Sequence, residues 1–88
     1  MSDGPQHILL VEDNPGDARL IRELLADEIG RAAFDMQVAE SLEDALTVLG
    51  AVLPDVVFLD LSLPDSFGLE TLYRLQGQAP SLPVIVLT

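Results

Sequence analysis

"VVFLDLSLPDSFG", residues 56–68, carries an apolar strand straight into a carboxylate and then into a Pro/Asp/Ser/Gly turn. An unbroken apolar run is what a strand buried on both faces requires, and such strands belong to parallel sheets covered by helices. Two more runs of this kind flank it, "HILLVEDN" at 7–14 and "LPVIVLT" at 82–88. A fourth candidate, "FDMQVA" at 34–39, alternates apolar and polar residues, as a half-buried edge strand does.

Helical stretches lie between the strands. Residues 15–32 open on Pro15, Gly16 and Asp17 and repeat Ala18, Ile21, Leu24, Leu25 and Ile29 at helical spacing. Residues 41–50 begin with Ser41, carry Asp44 three positions later as an acidic capping box, and end at Gly50. Residues 68–79 form a third helix with Leu69, Leu72, Tyr73 and Leu75 expected inward. The order is β-α-β-α-β-α-β. Right-handed crossovers turn that order into an α/β, doubly wound, open parallel sheet with the alternating strand at one edge.

Composition narrows the partners. The chain has 88 residues, room for one domain with a thin core. Fifteen acids face four arginines, with no lysine, for a net charge of −11. Nucleic acids and anionic membrane surfaces are therefore poor partners. The absence of cysteine rules out disulfides, Cys-based zinc sites and thiol nucleophiles, and His7, the one histidine, leaves no second imidazole for a zinc. No signal peptide or run of membrane-spanning length is visible, so a cytoplasmic location is expected.

Sites in open α/β sheets form beyond the carboxyl ends of the strands. Those ends carry Glu12 and Asp13, then Asp60, then Thr88. Neighbouring strands lie about 5 Å apart, so the three carboxylates crowd together and repel unless a cation joins them. Mg²⁺ suits such a site: it takes oxygen ligands and combines one or two carboxylates with waters and phosphate oxygens. A carboxylate there can attack a phosphoryl group while a hydroxyl, offered by Thr88, stabilises charge on the transferred group. Each residue alone also has an ordinary use. Asp60 suits a turn or helix cap, Glu12 and Asp13 a loop, Thr88 a strand end, and Pro64, Asp65, Ser66 and Gly68 common turn chemistry. It is their agreement at one sheet edge that carries weight.

The stretches "LLVEDNPGDARLIRELL", "VVFLDLSLPDSFGLETL" and "LPVIVLT" together resemble the receiver domain of two-component response regulators, over nearly all 88 residues. The resemblance implies a flavodoxin-like fold with strand order 2-1-3-4. It also implies a phosphoacceptor at Asp60 and a Mg²⁺ site of Glu12, Asp13, Asp60 and the backbone carbonyl of Ser62, with Asp13 the direct ligand of the acidic pair. Thr88 takes the place of the family's switch hydroxyl. Pro64 and Gly68 match the family's loop, and the partner implied is a sensor histidine kinase or a phosphotransfer protein. The domain is not an enzyme beyond its own phosphorylation and dephosphorylation.

Two features depart from the family. Its fifth strand and last two helices find no counterpart in residues 1–88, and the lysine that follows that strand has no substitute in a chain without lysine. The expectation is the N-terminal three-quarters of a receiver domain, truncated after the fourth strand. Its uncovered sheet face or edge would be apolar and would drive homo-oligomerisation. The alternative is a phosphorylation-incompetent pseudo-receiver that serves as an interaction or dimerisation module. An aspartate-nucleophile phosphatase is disfavoured because Ser62 stands where those enzymes carry a second aspartate, and no Gly-rich loop ending in Lys supports a nucleotide site.

Overall fold

In a computed structural model that describes residues 4–87, one parallel sheet forms from β1 (Gln6–Val11), β2 (Phe34–Ala39), β3 (Val56–Leu59) and β6 (Val84–Val86). Between β3 and β6 a two-residue hairpin appears, β4 (Ser62–Leu63) paired antiparallel with β5 (Ser66–Phe67). The helices are α1 (Pro15–Ile29), α2 (Leu42–Ala51) and α3 (Leu69–Gln78).

The sheet order β2-β1-β3-β6 is the expected one, with β6 as the fourth strand of the sequence reading. β1 pairs with β2 from Gln6–Phe34 to Val11–Ala39 and with β3 from Ile8–Val56 to Val11–Leu59. β6 joins β3 from Val57–Val84 to Leu59–Val86. The chain moves one way from β1 to β2 and the other way from β2 to β3. Right-handed crossovers therefore put α1 on one face and α2 and α3 on the other.

The closed core lies on the α2/α3 face. Leu9 and Val11 of β1, Val57 and Leu59 of β3, Leu42, Ala45 and Leu49 of α2, and Leu75 and Ala79 at α3 form one buried cluster. Full burial of each large aliphatic side chain contributes about 2 kcal/mol. Ile8, Leu10 and Ala18 are buried outside that cluster, on the α1 face.

Local signals explain the helix ends. The Asn14 side chain accepts hydrogen bonds from Gly16 and Asp17 N–H, and Pro15 occupies the first turn, where its missing N–H costs nothing. Gly30 stops α1 with φ +87°, and residues 31–33 continue only as a 3₁₀ turn, so the helix is shorter than the 15–32 expected. Ser41 Oγ accepts from Asp44 N–H, the serine half of the expected box.

Two apolar helix stripes are covered less widely than their spacing suggests, and the inward assignment in α3 needs correction. In α1, Leu24 and Ile29 are exposed, and only Ala18 is fully buried. In α3, Leu69 and Tyr73 face outward, while Thr71 and Leu75 face the core, one turn apart. Thr71 tolerates full burial because its hydroxyl lies 2.7 Å from Ser66 Oγ.

Candidate functional site

Two ladder bonds run past the ends of β1 and β3. Glu12 N–H donates to the Ala39 carbonyl at 2.9 Å, and Asp60 N–H donates to the Val11 carbonyl at 3.0 Å. Backbone pairing thus fixes both residues at the carboxyl edge, where the chain departs to opposite faces of the sheet. That is the crevice in which open α/β sheets bind ligands.

Glu12, Asp13 and Asp60 meet there, each offering one carboxylate oxygen, all within 4.8 Å of one another. Glu12 and Asp60 are buried, at 7% and 8% exposure, and Asp13 faces solvent. The Glu12 carboxyl is pushed up to about 7. Burial is the largest cause; a hydrogen bond from Asn14 N–H works against it, and the hydrogen-bonded, negatively charged Asp60 adds to it. Without a cation the cluster relieves its repulsion by keeping a proton on Glu12. A divalent cation with oxygen preference can take that proton's place, and three converging carboxylates fit such an ion.

The turn after Asp60 is held from its first residue. Asp60 Oδ1 accepts from Ser62 N–H at 2.9 Å, and Gly68 N–H closes the hairpin on the Leu61 carbonyl at 2.8 Å. Gly68 adopts φ +71°, where a side chain would be strained, and starts α3. Asp65, at the hairpin tip, places its two carboxylate oxygens 2.9 Å from the Leu42 and Glu43 N–H groups of α2. Those bonds, Glu43's foremost, hold its carboxyl below the usual carboxylate range.

The residues singled out by sequence therefore divide into three groups. Glu12, Asp13 and Asp60 come together, Ser62 follows directly in the same turn, and Thr88 lies outside the described residues. Local sequence offers Asp65 only turn chemistry; its partners are 23 and 22 residues away, and no local pattern announces them. A cleft of about 300 Å³ opens beside the acidic cluster, lined by Glu12, Pro15, Ala18, Arg19, Arg22 and Val38 among others, so half of the chain's four cations stand next to its acidic site. A larger concavity of about 340 Å³ lies at the opposite, amino end of the sheet, bounded by His7, Asp35 and Pro54, and shares no residue with the acidic cluster.

A family model for the response regulator receiver domain matches residues 8–88. The chain belongs to that family. Curated relatives of this receiver domain include the transcriptional regulatory protein GlrR of Escherichia coli K12, 35% identical over 88 residues, which are the whole of this chain and 19% of that protein. The virulence transcriptional regulatory protein PhoP of Shigella flexneri is 38% identical over 81 residues, covering 92% of this chain and 34% of the relative. This chain thus spans only a minor part of those proteins. Among solved structures, the MaeR response regulator bound to beryllium trifluoride is 32% identical, with a TM-score of 0.80 over 94% of this chain and 66% of that one. The phosphorylated cyanobacterial phytochrome response regulator RcpA is also 32% identical, with a TM-score of 0.79 over 93% of this chain and 64% of that one. In the receiver domain described here, no helix is long and apolar enough to cross a membrane among the described residues.

Proposed function

We propose that this receiver domain accepts a phosphoryl group on Asp60 from a histidine kinase or phosphotransfer protein, at a Mg²⁺ site made by Glu12, Asp13, Asp60 and the Ser62 carbonyl. The observation that carries the reading is the meeting of three carboxylates within 4.8 Å at the sheet's crevice, two of them buried. The phosphorylated state of RcpA, 32% identical, supports it.

Each residue has a distinct task. Asp60 is the nucleophile: one carboxylate oxygen forms a bond to phosphorus as the phosphorus–nitrogen bond of a phosphohistidine breaks, and the imidazole leaves with the electron pair and takes up a proton. Ser62 N–H, bonded to Asp60 Oδ1, orients the carboxylate so that the other oxygen can attack. Glu12 and Asp13 hold the metal, and loading it requires Glu12 to release the proton it carries below about pH 7. Bound Mg²⁺ supplies positive charge against the phosphoryl oxygens. The Thr88 hydroxyl is assigned to the transferred group. Self-phosphorylation and its reversal are the whole of the chemistry proposed, and the domain is otherwise a signalling module.

The test is intact mass after incubation with Mg²⁺ and acetyl phosphate. One added phosphoryl group on the parent chain and none on Asp60→Asn is the expected result. No addition to the parent rejects the reading.

A second reading rests on β6. It is an edge strand, and Ile85, Val86 and Leu87 are 50%, 41% and 37% exposed. An exposed apolar edge is a template for pairing with another chain. In this reading the domain is an interaction module that self-associates through β6. Sedimentation equilibrium separates the cases, since a monomer at all concentrations excludes association through that edge.

A further inference from the structure

The hairpin that follows Asp60 has only two residues per strand, Ser62 paired with Phe67 and Leu63 with Ser66. A ladder that short does not hold its shape alone. Three attachments hold it. Leu63 is buried in the core cluster, Ser66 Oγ meets Thr71 Oγ1 of α3, and the tip residue Asp65 binds α2 through both carboxylate oxygens.

The third attachment is unlike the others. α2 already has a cap of its own, because Ser41 Oγ accepts from Asp44 N–H at 3.1 Å. Asp65 adds a second cap from a separate element, 23 residues along the chain from Leu42. Charge-assisted bonds to first-turn N–H groups are the stronger kind, and the helix N-terminus favours a carboxylate there. Their distinct effect is to lock the hairpin to the helix. At the hairpin's other end Ser62 N–H bonds Asp60 Oδ1, so a tilt of the hairpin turns the Ser62 peptide against the phosphoacceptor.

We propose that Asp65 is a positioning residue for the acidic site: by clamping the hairpin tip to the first turn of α2, it fixes the Ser62 peptide, and with it the carbonyl offered to the metal. This rests on the reading of Glu12, Asp13, Asp60 and Ser62 as a Mg²⁺ site. α2 thereby becomes a mechanical support of the site, although none of its side chains belongs to it.

Three variants of the full chain test this: Asp65→Ala, which removes both acceptors; Asp65→Asn, which retains one oxygen; and Ser41→Ala, which removes a cap of the same helix without touching the hairpin. Two quantities are read by NMR. One is amide exchange at Ser62 and Gly68 without metal, and the other is the Mg²⁺ concentration that half-saturates the shifts of those amides. Asp65→Ala is expected to speed exchange and to raise the half-saturating Mg²⁺ about tenfold, the usual cost of losing a group that orients a metal ligand. Asp65→Asn falls between, and Ser41→Ala matches the parent in both; if Asp65→Ala does not fold, Asp65→Asn carries the test.

Parental exchange rates in the Asp65 variants would overturn the clamp. Faster exchange with unchanged Mg²⁺ half-saturation would overturn the positioning role, and so would a Ser41→Ala response equal to that of Asp65→Ala, because loosening of α2 alone would then explain it. A parent chain that takes up no Mg²⁺ would instead bring down the metal site itself, and the positioning role with it.

Discussion

The two faces of the sheet are built from the same strands and are unequally covered. On the α2/α3 face, Leu9, Val11, Val57 and Leu59 are sealed from water, and exposure returns only at the edge strand, where Val86, paired with Leu59, is 41% exposed. On the α1 face, Ile8 and Leu10 are sealed, but their neighbours across the sheet are not: Phe58 is half-buried, and Ile85, which pairs with it, is half exposed. Continuing the strand alternation past the last ladder bonds puts Glu12 on the parity of Leu10, and Asp60 on that of Phe58. The acidic site therefore belongs to the partly open face.

The largest expected effect comes from truncating one buried residue on the closed face. Leu59→Ala on the closed face is expected to cost about 3 kcal/mol in urea denaturation, the usual size for a buried leucine that leaves a cavity. Equal costs for Leu59→Ala and Ile85→Ala would mean that the two faces do not differ.

The next effect comes from Glu12. Its carboxyl titrates near 7 in the fold, against 4.5 as a free side chain. Between those values the folded chain holds a proton that the unfolded chain has released, so stability falls as pH rises through this window and levels off above 7. The loss should reach about 3 kcal/mol at most by pH 7.5 without metal. Urea midpoints at pH 5 and 7.5 measure it; Glu12→Gln should flatten the difference, and added Mg²⁺ should reduce it. A parent chain whose midpoint rises across this range would contradict the shift. The carboxylates of Glu23 and Asp65 are shifted the other way, so their contributions are lost only as acid protonates them in the fold, below this window.

A smaller effect concerns the helix that supports the closed face. Ser41→Ala removes the cap at Asp44 N–H and should lower stability by about 1 kcal/mol, read as a shift in the thermal midpoint. The smallest is Ile85→Ser on the open face, expected to change monomer stability by less than about 1 kcal/mol. If sedimentation shows self-association in the parent chain, the same substitution should weaken it, and that outcome would reassign the open edge from an idle surface to an interface.

Much of this was legible in the residues. Unbroken apolar runs at 8–11, 56–59 and 84–86 marked a parallel sheet, and alternation at 34–39 marked its edge. Acids placed directly after two of those runs marked the site. These signals are local, because strand period and strand ends are written in consecutive residues. Less was legible in the helices. Leu24, Ile29, Leu69 and Tyr73 fit a helical stripe yet lie exposed, since spacing says which residues share a side of a helix and not how wide a stripe the sheet covers.

Consecutive residues set the four strands of the parallel sheet, the crossover order and the placing of Glu12, Asp13 and Asp60 at one sheet edge, but not the β4–β5 hairpin. Tertiary structure alone decided three other matters. It set the proton on Glu12, which depends on burial and on Asp60, 48 residues away. It tied Asp65 to the first turn of α2, and it left Ile85 half exposed while Leu59, on the neighbouring strand β3, is sealed. Each of these is a distance between groups remote in sequence, and such distances exist only once the chain has folded.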